Sequence, residues 1–265
     1  MIIVRNLSTY FYLKETIVKA VEDVNFSVDK GEILGIVGES GSGKSTLALS
    51  LMRLIYPPGR IVSGEVIFDG KDLLKLSEAE MVKIRGAKIS MIFQDPFSSL
   101  NPVFSIGNQI AEVVQLHQGL SRREAWQKAI EMLDMVHIKD PASRIKDYPH
   151  QFSGGMQQRV MIAMALACQP ELLIADEPTT ALDVTIQAEI LKLLKELQEK
   201  FNLSIIYITH NFGIVKAICD RVVVMYGGKV IEEGKTKDVF EVPKTSYTRK
   251  LIDCLRELIP PSPFS

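Results

Sequence analysis

Short apolar runs alternate with amphipathic segments along most of the chain. Continuous apolar runs, typical of strands buried on both faces of a sheet, occur at Ile33–Val37, Leu172–Ala175, Ser204–Thr209 and Arg221–Tyr226. Between residues 102 and 166 the apolar spacing is helical, and the capping box Ser121–Glu124 predicts a helix start. The pattern therefore predicts an α/β core interrupted by a helical insertion.

The two ends of the chain depart from this core pattern. Near the N-terminus, Ile2–Val4, Thr9–Leu13 and Ala20–Val28 predict strands, the last of them ending in a turn. The double glycine at 227–228 predicts a hairpin near the other end. Several prolines follow from Pro243 onward, and we expect this tail to fray.

Composition narrows the class of protein without naming an activity. The 265 residues are 46% hydrophobic and 24% charged, which is typical of a globular chain. A net charge of −1 argues against a bulk electrostatic grip on nucleic acid. The longest apolar runs, such as Val160–Cys168, are far shorter than the roughly 18–20 residues of a membrane-spanning helix. Three widely spaced cysteines favour reduced thiols in the cytosol.

A phosphate-binding loop follows the strand at Ile33–Val37. Residues 38–46, Gly-Glu-Ser-Gly-Ser-Gly-Lys-Ser-Thr, match GxxxxGK[ST] and precede a helical run. In such a loop the main-chain N–H groups surround phosphate oxygens, Lys44 reaches the β- and γ-phosphates, and Ser45 binds Mg²⁺. The expected nucleotide-binding residues here are Gly38, Ser40, Gly41, Ser42, Gly43, Lys44, Ser45 and Thr46.

Three further polar residues stand at the ends of predicted buried strands. Asp176 and Glu177 follow the strand at Leu172–Ala175, and His210 follows the strand at Ser204–Thr209. Because ligands of open α/β sheets bind at the carboxyl ends of the strands, Asp176 is suited to assist Mg²⁺ and Glu177 to act as a general base. Taken alone, the two acids could equally be a solvated strand end, but the phosphate loop on the same chain favours an ATPase.

These residues together resemble the motifs of ATP-binding cassette (ABC) ATPases. Phe152–Arg159 is similar to their signature motif, with Met156 in place of the commoner glutamine. Gln94 resembles the Q-loop residue, Ala181–Asp183 the D-loop, and His210 the switch histidine. Phe11 stands where the family has an aromatic residue that stacks on adenine, with Tyr10 and Tyr12 as rival candidates.

The resemblance implies a fold and a division of labour. The implied fold is α/β, a P-loop NTPase (RecA-like) core with an N-terminal antiparallel β-subdomain and an inserted helical subdomain. Residues 1–93 and 167–242 would form the core, 94–166 the Q-loop and helical signature subdomain, and 243–265 the tail. Lys44, Glu177 and His210 would be catalytic. Ser45 and Gln94 would bind Mg²⁺, with Asp176 behind them.

The resemblance also implies partners. Two ATPase subunits, identical or different, would sandwich ATP head to tail. The residues expected to act on the partner's ATP, in the signature and the D-loop, are Ser153, Gly154, Gly155, Met156, Gln157 and Asp183.

A narrower resemblance is to importers of oligopeptides and dipeptides. It rests on Gln94–Pro102, Tyr148–Met156, Val160–Ala165, Thr179–Thr185 and Ser246–Arg249. It implies two membrane permease subunits, contacted through Pro96, Phe97 and Leu100, an extracytoplasmic binding protein, and a place on the cytoplasmic side of the membrane. Importers of nickel or oligosaccharides in the same subfamily, and non-transport ABC ATPases, are the alternatives. We expect no nucleic acid partner.

The family's longer cysteine-bearing C-terminal extension would begin where the sequence ends, at Ser265. Either the sequence is truncated there or the protein lacks that module. Only Cys254 lies in this region, so we expect no iron–sulfur cluster.

Overall fold

The computed structural model describes residues 1–94, 99–180 and 182–258, with the side chains of the last four left aside. The chain divides into two compact units. The first comprises Met1–Lys75 and the chain from Ile206 onward, and the second comprises Leu76–Ile205. The predicted bounds of the core and the helical subdomain were set by the family's motifs and not by compactness, and they stay a prediction.

An antiparallel sheet forms much of the first unit. Its strands are β1 (Ile2–Tyr12), β2 (Ile17–Val28), β4 (Gly59–Phe68) and β5 (Lys71–Asp72), in the order β2-β1-β4-β5. Buried apolar side chains alternate with exposed ones along β2, as expected for a sheet with one face on the core. The separate strands predicted at Ile2–Val4 and Thr9–Leu13 are one strand, whose register shifts between Val4 and Tyr10.

The first unit also contains parallel pairing. β3 (Ile33–Val37) is buried at all five residues and pairs in parallel with β9 (Arg221–Tyr226). β10 (Lys229–Lys235) returns antiparallel to β9 through the predicted glycine hairpin. The helices of this unit are α1 (Lys44–Leu51), α8 (Phe212–Ile218), α9 (Thr236–Glu241) and α10 (Ser246–Leu258).

The second unit is mostly helical. β6 (Ile89–Ile92) and β7 (Leu172–Asp176) pair in parallel. Its helices are α2 (Glu78–Val82), α3 (Ile106–Gln118), α4 (Arg122–Met135), α5 (Pro141–Arg144), α6 (Gly154–Leu166) and α7 (Val184–Phe201). The capping box predicted at Ser121 and Glu124 is present at the start of α4. β8 (Ser204–Thr209) begins in the second unit and ends in the first.

The expectation of a frayed tail from Pro243 is wrong for residues 246–258, which form α10. The prolines that suggested fraying lie before and after this stretch, at 243, 260, 261 and 263, and leave the helix intact. Ile252 of α10 is buried, so the helix packs on its unit. In the described part of the chain, we find no helix with both the length and the apolar character that crossing a membrane requires.

Candidate nucleotide site

β3 leads into a loop whose shape depends on glycine. Gly41 and Gly43 have φ angles of 80° and 98°, in the left-handed region that other residues disfavour. A Cβ atom on Gly43 would lie 2.0 Å from the carbonyl oxygen of Ala20, and one on Gly38 would lie 2.2 Å from that of Met225. The loop is therefore closed in by β2 and by β9, and only glycine fits at these positions.

Lys44 is the first residue of α1, and its side chain turns back over the loop. The buried ammonium donates hydrogen bonds of 2.8 Å to the carbonyl oxygens of Gly38 and Glu39. A full positive charge is thereby fixed where the partial charge of the helix terminus is also positive. Ser45 and Thr46 follow in the first turn of α1. The arrangement favours an anion with several oxygens, such as a polyphosphate.

Phe11 lies near the end of β1 and packs against the start of β4. A Cβ atom on Gly59 would come within 2.7 Å of Cε1 of Phe11 and 2.8 Å of Cγ2 of Ile55. The rings of Tyr10 and Tyr12 instead have a lysine at 5.5 Å and an arginine at 5.9 Å from their centres. Phe11 is thus a ring supported by β4, which suits stacking of a base, and its contact with adenine stays a prediction.

His210 follows β8 directly, at an exposed position in the first unit. The next residue, Asn211, caps α8, because its side-chain oxygen accepts hydrogen bonds from the N–H groups of Gly213 at 2.8 Å and Ile214 at 3.4 Å. An ordered turn therefore carries the imidazole at a strand end. The predicted switch role of His210 is compatible with this place and stays a prediction.

The second unit holds the two acids at the end of β7. Asp176 is buried, and Glu177 has a φ angle of 46°, a left-handed conformation that costs a residue with a side chain roughly 1–3 kcal/mol. Glu177 Oε2 accepts a hydrogen bond of 2.8 Å from Oγ1 of Thr180 and one of 3.3 Å from Nε2 of Gln94. Two predicted site residues, Gln94 and Glu177, are thus brought together.

Thr180 is the residue of this cluster that the sequence did not single out. Its main-chain N–H donates to the carbonyl of Glu177 at 3.3 Å, which closes a turn, and its hydroxyl donates to the carboxylate of the same residue. The signal was present in the sequence, since a hydroxyl three positions after an acid can reach back across one turn.

The signature segment is a helix start of ordinary construction. Ser153 caps α6, and its hydroxyl accepts from the N–H of Met156 at 3.4 Å. The buried side chain of Gln157 donates to the carbonyl oxygens of Pro149 at 2.8 Å and Phe152 at 3.1 Å. Both hydrogens of that amide are engaged within the second unit. The predicted contacts of these residues with a partner's nucleotide stay a prediction.

The two signature glycines have different surroundings. A Cβ atom on Gly155 would lie 2.6 Å from Cγ2 of Ile186, so this glycine allows α6 to pack closely on α7. A Cβ atom on Gly154 would meet only Cδ2 of Leu182 at 3.8 Å, an ordinary contact. Packing within the described chain therefore explains Gly155 and leaves Gly154 without a structural reason to be glycine.

The remaining predicted residues divide between described and undescribed segments. Asp183 caps α7, accepting from the N–H of Ile186 at 2.9 Å. Ala181 of the D-loop, and the docking candidates Pro96 and Phe97, lie outside the described residues. Leu100 is only 2% exposed, so its side chain belongs to the core of the second unit rather than to a docking surface.

Comparison with known proteins decides the family. Residues 21–180 match the model of the ABC transporter family. The chain belongs to the ABC transporter family. The probable peptide ABC transporter ATP-binding protein y4tR of Sinorhizobium fredii is 55% identical over 94% of this chain and 75% of its own length. The oligopeptide transport ATP-binding protein OppD of Bacillus subtilis is 53% identical over 94% of this chain and 70% of its own length.

A solved ABC structure has the same fold. The dimeric ATP-binding cassette MJ0796, bound to ADP and phosphate, has a TM-score of 0.79 and 32% identity, and the match covers 89% of this chain and 99% of that one. The expected fold class is confirmed, and so is the expectation of an ABC ATPase.

Proposed function

We propose that this ABC protein is the ATP-hydrolysing subunit of an importer of oligopeptides or dipeptides. The observation that carries the proposal is the acid cluster after β7. There the carboxylate of Glu177, whose backbone is left-handed, receives hydrogen bonds from Gln94 and Thr180, in a chain that also has a complete phosphate loop. The likeness to y4tR and OppD supports peptides as the cargo.

ATP binding falls to the first unit in this proposal. The N–H groups of residues 38–46 and the ammonium of Lys44 hold the phosphates, and Phe11 stacks on the adenine. The hydroxyl of Ser45 and the carboxylate of Asp176 are oxygen donors of the kind that Mg²⁺ prefers, so the residues present fit this ion. The residues predicted to hold Mg²⁺ are Ser45 and Gln94, with Asp176 assisting, and the ion would supply positive charge against the phosphates.

Hydrolysis requires a base and a group near the γ-phosphate. Glu177 takes a proton from the attacking water, while Gln94 and Thr180 fix the carboxylate that accepts it. His210 hydrogen-bonds the γ-phosphate. The exact placement of Glu177 matters because a catalytic base must lie within hydrogen-bond reach of its proton.

A second cassette, identical or different, completes each site. The N-terminus of α6 then faces the γ-phosphate held by the partner, and the positive end of the helix favours that anion. The open surroundings of Gly154 support this role, because an anion can approach the main chain closely there. Asp183 of the D-loop follows in the same region of the chain.

The membrane partners would be two permease subunits and an extracytoplasmic binding protein, which place this chain on the cytoplasmic side of the membrane. Large apolar side chains flank residues 95–98: Phe93 is 42% exposed, Val103 72% and Phe104 51%. Such exposed residues favour contact with another protein. Phe104→Asp should release the chain from the permease while ATP binding persists. Leu116→Asp, at an exposed position of α3, is the matched control, and unchanged association of Phe104→Asp would refute the contact.

The central experiment measures ATP hydrolysis by the chain assembled with its membrane partners. Glu177→Gln should lower kcat by at least about 100-fold and leave ATP bound, because only the base is lost. Glu199→Gln, exposed on α7, is the control and should behave like wild type. Equal rates for wild type and Glu177→Gln would reject Glu177 as the base.

The cargo is tested separately, in cells that lack the gene. Wild type should restore uptake of labelled oligopeptides or dipeptides, whereas Lys44→Ala should not. Restored uptake of nickel or an oligosaccharide instead would keep the ATPase and replace the cargo. ATPase activity stimulated by nucleic acid would favour a non-transport role.

A further inference from the structure

Two elements of the first unit hold the phosphate loop from outside. The turn after β9 places the N–H of Gly228 at 3.1 Å from the carbonyl oxygen of Ser42. The C-terminal helix α10 places the hydroxyl of Tyr247 at 3.2 Å from the main-chain nitrogen of Glu39, which donates to it. The second contact joins residues 208 positions apart in the chain.

Both main-chain polar groups of Glu39 are consequently held by hydrogen bonds. Its carbonyl oxygen accepts from the ammonium of Lys44 at 2.8 Å, and its N–H donates to Tyr247. The same ammonium also bonds the carbonyl of Gly38. The start of the loop, Gly38 and Glu39, is therefore held by the ammonium of Lys44 and by the hydroxyl of Tyr247 in α10. Ser40, the next residue, is a predicted phosphate-binding residue.

The ring of Tyr247 is fixed in this place by packing. It lies against the ring of Tyr226, the last residue of β9, with 4.5 Å between ring centres and 49° between ring planes. A tyrosine hydroxyl is neutral at physiological pH, and partial burial raises the pKa of the Tyr247 hydroxyl further. A neutral hydroxyl oxygen accepts the Glu39 N–H without adding negative charge beside a phosphate site.

α10 is anchored independently of that hydroxyl. Glu232, buried in β10, accepts hydrogen bonds from the N–H groups of Lys244 at 2.8 Å and Thr245 at 3.1 Å, immediately before the helix. Thr248 is fully buried, and its hydroxyl bonds that of Thr245 at 2.8 Å. The start of α10 is therefore fixed by β10, so Tyr247 can act as a rigid arm on the loop.

We propose that Tyr247 is a positioning residue for the phosphate loop, through which the placement of α10 sets the affinity for ATP. The effect on ATP affinity rests on the proposed function. The effect of Tyr247 on the conformation of the loop does not. Losing the hydroxyl should raise KM for ATP about fivefold through weaker binding, and kcat should change little because Glu177 is untouched.

The test compares Tyr247→Phe with Tyr226→Phe in the full chain. Each variant loses one hydroxyl and keeps its ring in the aromatic pair, so the packing is matched. Hydrogen exchange at the Glu39 amide should accelerate about fivefold in Tyr247→Phe, with Ile252 in α10 unchanged, and neither amide should respond in Tyr226→Phe. The dissociation constant for ATP should rise by the same factor in Tyr247→Phe alone.

Two results would overturn the proposal. Unchanged exchange at Glu39 in Tyr247→Phe would mean that the hydroxyl does not hold the loop. Equal acceleration at Glu39 and Ile252 would mean that the substitution loosens α10 as a whole. A wild-type chain that binds no ATP would instead reject the proposed function, and it would leave the exchange result at Glu39 to be judged by itself.

Discussion

The phosphate loop and the signature segment are both glycine-bearing turns that open a helix, yet their glycines have different causes. In the phosphate loop, a Cβ atom on Gly38 or Gly43 would strike a main-chain carbonyl oxygen of the first unit at 2.2 or 2.0 Å. In the signature, Gly155 is explained by Ile186, but a Cβ atom on Gly154 would make only an ordinary contact, 3.8 Å from Cδ2 of Leu182.

The difference separates a loop in which Gly38 and Gly43 are explained by packing among the described residues from a helix start where that packing leaves Gly154 unexplained. Lys44, Tyr247 and the turn after β9 hold the phosphate loop in shape within the first unit. α6 begins with an ordinary serine cap and an open glycine. Packing among the described residues does not require glycine at position 154, and we propose that a partner's nucleotide approaches the main chain there.

The largest expected effect comes from removing the ammonium of Lys44 from the phosphate loop. Lys44→Ala should lower the affinity for ATP by at least about 100-fold, because the charge-assisted bonds to phosphate are lost. Titration calorimetry measures the change, with the exposed Lys30→Ala as control. A variant that kept near wild-type affinity would show that the loop's main-chain N–H groups suffice.

Gly155→Ala tests the packing half of the comparison. The added methyl group would press on Ile186, so the free energy of unfolding should fall by about 1–3 kcal/mol. Gly154→Ala should change it by no more than about 0.5 kcal/mol. Urea denaturation of both variants gives the two values, and equal losses would remove the distinction between the two glycines.

Thr180→Val tests whether the Thr180 hydroxyl orients the carboxylate of Glu177. The variant should lower kcat about tenfold with KM for ATP unchanged, because Glu177 loses a donor that orients it while the phosphate loop is intact. Thr180→Ser keeps the hydroxyl and should restore most of the rate. If serine and valine were equally slow, the hydrogen bond would not explain the effect.

The smallest effect concerns the anchor of α10. Burial alone would raise the pKa of Glu232, but hydrogen bonds from the N–H groups of Lys244 and Thr245 and the hydroxyl of Thr248 outweigh it and lower the pKa. A carboxylate with a lowered pKa stabilises the fold above its unfolded-state pKa, and the contribution is lost as pH falls through the folded-state pKa.

Wild type should therefore lose stability on acidification, by about 1 kcal/mol more than Glu232→Gln does. Urea midpoints measured from about pH 6 to pH 3 follow this difference. The exposed Glu15→Gln is the control and should track wild type. Parallel pH curves for wild type and Glu232→Gln would show that the anchor contributes nothing through its charge.

The sequence predicted local features well. The apolar run of β3, the glycine spacing and Lys44 lie within a dozen residues, so they report the phosphate loop together. Asp176 and Glu177 are likewise announced by the buried strand before them. The order of these motifs then indicated the family, which the comparisons confirmed.

Features that depend on contacts between residues far apart in the chain could not be predicted from the sequence. The unequal roles of Gly154 and Gly155 depend on Ile186, which lies in another helix. The contact of Tyr247 with Glu39 joins opposite ends of the chain, and the prolines of the tail concealed α10. Leu100 was predicted to contact the permease, but its side chain is buried. Burial depends on tertiary packing, which the sequence does not show.

Sedimentation of the Glu177→Gln cassette at saturating ATP, with its own copy or its co-purifying partner cassette, tests whether the N-terminus of α6 acts on a partner's ATP. We expect an ATP-dependent cassette dimer whose association weakens at least about 100-fold when Gly154→Asp is added, because a new negative charge then faces the γ-phosphate. Folding should not suffer, since aspartate is favourable in the first turn of a helix. A dimer that persists unchanged in the Gly154→Asp variant would show that this helix start does not contact the partner's nucleotide.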